Sequence, residues 1–360
     1  MRAVLHTESS PGWGGQEVRI LAEARWLGEH GFRVLVAGQP GSAIVSRAEE
    51  AKVTAIQVPM RGAWDLSAVG KLTSAIRREG VALIHTHSSV DAWLGGLAGR
   101  LMGLPVVRSR HVSIPLRHGW NPVYSLLADR VVTSGEAIRQ RVLEAGVNPA
   151  KVVAIPAGVD LEEFSPGTGG ERIRTTFSLQ PPVVGSVAMF RGSKGHPELL
   201  EGLKAVRREF PDATLLLVGD GIRRAWVEDR ARALGLREAV RFTGFRQDVP
   251  DLLRAMDCFV LSSIRTEGVP QSLLQALATE LPVVASAVGG IPEVIQHQVT
   301  GLLVSPGDAE ALAQGILTVL RDPDSATRRA KAGRRLVEMR FSRALALQRL
   351  TAVYEELLNR

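Results

Sequence analysis

Short apolar runs alternate with longer stretches of helical periodicity along most of the chain. An apolar run at residues 3–5 opens it, a glycine-rich turn follows, and a helix-like segment extends over residues 17–30. Gly31 stops that segment on its C-terminal side, and residues 32–37 read as the next strand. Further strands are predicted at 53–58, 82–85, 105–108, 130–133 and 152–155, with helical patterns in the gaps. Strands that alternate with helices pair in parallel, because parallel neighbours need a crossover connection. The pattern therefore predicts a doubly wound α/β sheet.

Residues 161–170 (LEEFSPGTGG) break the alternation with the composition of a linker. It then restarts: strands at 183–187, 214–218, 240–243, 258–261 and 283–285, and helices from Pro197, Ala225 and Gln271. The prediction is two Rossmann-like domains, 1–165 and 166–339, with a ligand cleft between them. Leu345, Leu347, Leu350, Val353, Tyr354, Leu357 and Leu358 recur at helical spacing. They predict an amphipathic helix over 340–360 that packs back on the first domain.

Composition agrees with this picture and excludes others. At 360 residues the chain suits two domains of about 150–180 residues each. Hydrophobic residues make up 45% and charged residues 22%, as in a folded soluble protein. No apolar run reaches the roughly 18–20 residues that cross a bilayer. The N-terminus offers a short β-like run where a signal peptide would need a longer apolar segment, so a cytoplasmic location is expected. The single cysteine, Cys258, lies in the run CFVL and reads as a buried strand residue.

The net charge of +7 fits an anionic ligand or membrane surface, but no helix-turn-helix, zinc-finger or aromatic RNA-binding signature points to nucleic acid. Between Asp91 and Asp129 no acidic residue occurs, while Arg100, Arg108, Arg110 and Arg117 do, with His111, His118, Trp93 and Trp120. Two readings stay open: a surface facing an anion or lipid headgroup, on the inner face of the membrane, or packing with no such role.

The most informative stretch is 266–281, TEGVPQSLLQALATEL, followed by PVVASAVGGIPE. Here the chain resembles the retaining glycosyltransferases of family 4, whose GT-B fold is two Rossmann-like domains facing across a cleft. The resemblance extends over nearly the whole chain and is strongest over 185–306. In that family an E-x7-E motif places its first carboxylate on the donor sugar and its second on the ribose hydroxyls. This chain has Glu267 at the first position and Gln275 at the second. A carboxylate accepts two charge-assisted hydrogen bonds from a ribose diol, whereas an amide offers one neutral acceptor, a loss of about 1–2 kcal/mol. The resemblance also puts Gly268 and Val269 of this turn at the donor.

Residues 187–197, VAMFRGSKGHP, end a strand in a Gly/Ser turn that carries two cations three residues apart. A departing nucleoside diphosphate gains negative charge in the transition state, which fixed cations stabilise. By resemblance Lys194 is the diphosphate-binding lysine. Met189 occupies the family arginine's place, and Arg191 is the expected substitute. The loop 242–249 resembles the one that holds the nucleobase through backbone groups, which brings in Gly244, Phe245 and Arg246. The 289–293 turn, GGIPE, is expected to serve packing.

In the first domain Gly12-Trp13-Gly14-Gly15 follows a strand and precedes a helix. Missing side chains there let backbone N–H groups approach a phosphate, although an ordinary tight turn has the same composition. Its position matches the family's N-terminal glycine loop, which makes Gly14 and Gly15 candidate donor contacts. His85 and His87, two apart on a strand, point the same way and could bind metal, but no third ligand is evident and the family needs none. In the family a histidine beyond this strand lines the sugar and acceptor side, and His87 is the better candidate because it lies farther out.

Together these residues predict a metal-independent retaining glycosyltransferase without a cofactor. It would move sugar from a nucleotide diphosphate sugar to a glycan or lipid-linked acceptor, as in lipopolysaccharide or other cell-surface glycan synthesis. Rival readings are a nucleotide-sugar 2-epimerase, which needs no acceptor, and a non-catalytic nucleotide-sugar-binding protein.

Overall fold

A computed structural model of the chain describes residues 1–111, 116, 119, 121–265 and 267–360. Arg117, His118 and Trp120 of the acid-free stretch, and Thr266, lie outside the described residues. The chain forms two compact units, Met1–Ala157 with Ala344–Arg360, and Gly158–Arg343.

The first unit runs β1 (Arg2–Glu8), α1 (Gly15–Glu29), β2 (Phe32–Gly38), α2 (Ala43–Glu50), β3 (Thr54–Gln57), α3 (Leu66–Glu79), β4 (Val81–Thr86), α4 (Ser89–Met102), β5 (Val106–Arg110), α5 (Pro122–Ser125), β6 (Arg130–Thr133), α6 (Glu136–Glu144) and β7 (Val152–Ala154). The seven strands form one sheet in the order β3-β2-β1-β4-β5-β6-β7, paired in parallel throughout. Residues 3–5 of β1 are apolar in succession because both faces of the strand are covered. Ala3 and Leu5 join one core cluster and Val4 another.

The second unit runs α7 (Gly170–Thr176), β8 (Val183–Val187), α8 (His196–Val206), β9 (Thr214–Val218), α9 (Arg224–Ala233), β10 (Val240–Gly244), α10 (Val249–Arg254), β11 (Cys258–Leu261), α11 (Gln271–Ala278), β12 (Val283–Ser286), β13 (Leu302–Val304), α12 (Ala309–Arg321) and α13 (Pro323–Arg340). Its sheet has the order β10-β9-β8-β11-β12-β13, again with parallel pairing. The last helix, α14 (Arg343–Leu358), places Ala346, Leu350, Tyr354 and Leu357 in the core of the first unit beside Val4, Leu83 and Val107.

One expectation is corrected. The change of unit falls at Ala157–Gly158 and not at 165–166. Val159 and Phe164 are buried in the second unit's core, and Val159 exchanges backbone hydrogen bonds with Phe341 and Arg343 at 2.9 and 2.8 Å. Two apolar anchors thus outweigh the breaker composition around them. β13, α12 and α13 were not read from the pattern. A three-residue strand has no measurable period. The paired helices are separated only by Asp322, whose side chain accepts from Ser325 N and caps α13.

Candidate active site

In the second unit the strand order reverses between β8 and β11, the place where open α/β sheets bind ligands beyond their C-terminal strand ends. Lys194 follows β8 and Glu267 follows β11. Lys194 Nζ donates to Glu267 Oε1 at 2.5 Å, and Ser263 Oγ donates to the same oxygen at 2.6 Å. Ser262 Oγ in turn donates to the Lys194 carbonyl at 3.0 Å. Glu267 Oε2 has no hydrogen bond from a described residue, which leaves it an acceptor for a ligand hydroxyl.

Glycines make this approach possible. Gly195, at φ +65°, lies so close to the Ser262 carbonyl that a Cβ would sit 1.8 Å from its oxygen. α8 can therefore begin at His196, with Gly195 as its N-cap directly after Lys194. Gly289, at φ +55°, is pressed against the Glu267 backbone, where a Cβ would fall 2.1 Å from the carbonyl oxygen. Gly290 N donates to that oxygen at 3.2 Å, and a Cβ on Gly290 would collide with Gly268. The GGIPE turn thus holds the Glu267–Gly268 backbone, the packing role its composition predicts.

Arg191 is exposed and forms no ion pair among the described residues, and Met189 is also exposed. His196, at the start of α8, stacks on Phe190 with ring centroids 4.5 Å apart. Burial and the Lys194 charge lower its pKa to about 4, so it adds no second cation. Val269 packs against the core, and Gln275 is half-buried in α11. Beyond β10, Gly244 takes φ +72° and accepts from Gly219 N at 3.0 Å, while Phe245 is 66% exposed. Arg246 is occupied by a two-point pair with Asp248, at 2.8 and 2.6 Å. Its side chain is therefore committed, and what this loop offers a base is backbone and the Phe245 face.

In the first unit the strand order reverses between β1 and β4. Gly14 caps α1, its N–H donating to Glu17 Oε2 at 2.8 Å, and Gly15 has open space around it. Glu8, at the end of β1, accepts from Ser10 N at 2.7 Å and from Ser88 and Gln16 side chains. Burial, then the neighbouring Asp91 charge, raise its pKa to about 7. Asp91 ties the two strand ends together, accepting from Thr7 Oγ1 at 3.0 Å and from the backbone N–H groups of His87 and Ser88, both at 2.8 Å.

His87 does not project as expected. It is 1% exposed, with Nε2 on His6 Nδ1 at 3.0 Å and Nδ1 on His111 Nε2 at 3.1 Å. Asp91 draws its backbone inward, and the half-buried ring is His111, at the end of β5. Sequence distance beyond the strand was thus a poor guide. The lone pair of histidines also gains company: His6, Glu23, His85 and His87 bring potential metal-ligating atoms within 4.8 Å of one another. The acid-free stretch is not a basic surface among the described residues. Arg108 and Arg110 are buried near the Tyr124 ring, and Arg100 pairs with Asp129 at 2.9 Å. No helix of the described residues is long and apolar enough to cross a membrane.

Comparison with known proteins follows the two units. The family described as Glycosyltransferase Family 4 matches residues 13–163, and that described as Glycosyl transferases group 1 matches residues 171–336. The chain is 27% identical to the Escherichia coli UDP-Gal:alpha-D-GlcNAc-diphosphoundecaprenol alpha-1,3-galactosyltransferase, over 72% of this chain and 71% of that protein. It is 28% identical to the 2-deoxystreptamine glucosyltransferase of Streptomyces kanamyceticus, over 96% and 99%. Among solved structures, a glycosyltransferase from Rickettsia africae superposes with a TM-score of 0.91 at 23% identity, covering 99% of this chain and 98% of that one. Anabaena Alr3699/HepE in complex with UDP superposes with a TM-score of 0.90 at 22% identity, covering 99% and 100%. With one family model matching each unit and glycosyltransferase structures superposing on the chain, the chain is a family 4-type, GT-B glycosyltransferase that uses a nucleotide-sugar donor.

Proposed function

We propose that the second unit binds the donor and that transfer retains the anomeric configuration, to a glycan or lipid-linked acceptor of cell-surface glycan synthesis. The observation that carries this reading is the Lys194–Glu267 pair at the strand-order reversal. Lys194 would leave Glu267 for the diphosphate, joined by exposed Arg191, and neutralise the charge that develops as the nucleotide departs. Glu267, still held by Ser263, would accept from hydroxyls of the transferred sugar. Gln275 would meet the ribose as a neutral partner, Phe245 would cover the base, and Gly268 and Val269 would line the sugar pocket. In the first unit Gly14 is committed, its N–H to Glu17 and its carbonyl to Val18 N–H, which leaves Gly15 as the glycine with open space beside it.

Cations at these positions supply the charge stabilisation that a metal gives other transferases, so we assign no cofactor. A lipid-linked acceptor agrees with the substrate named for the Escherichia coli relative. On this reading the enzyme works on the nucleotide-sugar side of the cytoplasmic membrane, reached through its acceptor and not through Arg108 or Arg110.

A thermal-shift panel of nucleotide sugars identifies the donor, since a ligand stabilises the fold by mass action. The proton coupling across the new anomeric bond then reads the stereochemistry. An inverted product, or conversion of donor without acceptor, would overturn the assignment.

A further inference from the structure

Six buried or half-buried side chains of the first unit form one unbranched line of hydrogen bonds. Ser109 Oγ meets His85 Nε2 at 2.8 Å, and His85 Nδ1 meets the Tyr354 hydroxyl at 2.5 Å. The Tyr354 hydroxyl meets His6 Nε2 at 3.3 Å. His6 Nδ1 meets His87 Nε2 at 3.0 Å, and His87 Nδ1 meets His111 Nε2 at 3.1 Å. Burial drives all four imidazoles towards neutrality, His6 to about 3, and holds the Tyr354 phenol protonated.

A neutral imidazole has one N–H and one bare nitrogen, and a phenol has one proton. Each bond in the line needs one donor and one acceptor, so the choice made at one end propagates to the other. If Ser109 donates, His85, His6, His87 and His111 all carry their proton on Nδ1. If the line runs the other way, all four carry it on Nε2. Along His6, His87 and His111 a mixed pattern sets two donors or two bare nitrogens face to face, and across Tyr354 it leaves the phenol proton or a ring nitrogen unpaired in a buried site. Tyr354 is the junction, because His85 and His6 are linked only through its hydroxyl.

We propose that Tyr354, contributed by the terminal helix α14, is a positioning residue that forces these four rings into one shared tautomer. It thereby couples the role of His111 Nδ1 towards a substrate hydroxyl, donor or acceptor, to the direction of the Ser109 hydroxyl at the far end of the line. This rests on the family resemblance, in which a histidine beyond β4 lines the sugar and acceptor side, with His111 as the half-buried ring of the cluster. The partner class is a neutral hydroxyl, since a line of uncharged rings offers no counter-charge to an anion.

Long-range proton–nitrogen spectra of the full chain labelled in histidine read the tautomers directly, without any variant. The expected result at pH 7 is four neutral rings protonated at the same nitrogen. A mixture of Nδ1–H and Nε2–H rings, or an imidazolium, overturns the proposal. So does a bound metal whose chelation changes the pattern, because metal on His6, His85, His87 and Glu23 would replace the line. Tyr354→Phe should leave His111 exchanging between tautomers. It should lower kcat about fivefold, the effect of one buried hydrogen bond, with donor KM unchanged. Unaltered His111 signals and kcat in the folded variant also overturn it. Full turnover by His111→Ala would instead remove the substrate role of His111 while leaving the shared tautomer standing.

Discussion

Lys194 and Glu267 stand 73 residues apart in the chain, yet their Nζ and Oε1 atoms meet at 2.5 Å. Each would be costly alone in so enclosed a place, and together they hold one another in a charged, half-buried state until a ligand competes. Lys194→Ala should therefore lower kcat by about 10²–10³, the magnitude of removing one fixed donor from a developing anion. Ser263 still satisfies Glu267 in that variant, so the fold should survive. Steady-state kinetics with a circular-dichroism control measures both, and near-normal turnover would remove Lys194 from the mechanism.

Gln275 offers a cleaner test because it is a gain. Gln275→Glu restores a charged acceptor at a half-buried helical position whose side chain makes no hydrogen bond to another described residue. Donor affinity should rise about tenfold, in line with 1–2 kcal/mol for a charge-assisted hydrogen bond. Titration of the donor by calorimetry decides it, and equal or weaker binding would mean that Gln275 does not face the ribose.

Gly289 supports Glu267 from behind. Gly289→Ala adds a methyl 2.1 Å from the Glu267 carbonyl oxygen in a backbone conformation that alanine disfavours. The expected cost is about 1–3 kcal/mol of stability, with a loss of kcat larger than the loss at Gly15→Ala, where there is open space. Comparable activity in the two variants would separate the turn from the site.

Glu8 makes stability depend on pH. Its folded pKa of about 7 lies above the ordinary 4.5, so between these values the folded state keeps a proton that the unfolded chain has lost. Over that window the contribution of Glu8 falls as pH rises, and it levels off above about pH 7. Glu8→Gln should therefore be more favourable to stability at pH 8 than at pH 5, by an unfolding free energy on the order of 1–3 kcal/mol measured by denaturant titration at the two pH values. A pH-independent difference between the two proteins would contradict the buried, protonated carboxyl.

Much of the second unit was legible in the chain because its signals are local. The strands at 183–187, 214–218 and 258–261 coincide with the observed elements, since parallel strands covered on both faces are uninterrupted apolar runs. Lys194, Glu267 and the GGIPE turn each sit in a short segment whose composition states its own constraint. The first unit resisted the same reading. His6, His85, His87, His111 and Tyr354 come from three strands or their ends and from the last helix, and no spacing between them announces that their rings touch.

By itself, then, the chain determined the alternation of strand and helix, the parallel pairing and the turns where glycine must stand, because period and backbone sterics act over a few residues. Tertiary structure decided where the first unit ends, which histidine is turned inward, that Arg246 is already taken by Asp248, and that Arg108 and Arg110 are buried and not displayed. Those outcomes depend on burial and on partners distant along the chain, and desolvation acts on a side chain only once the fold has enclosed it.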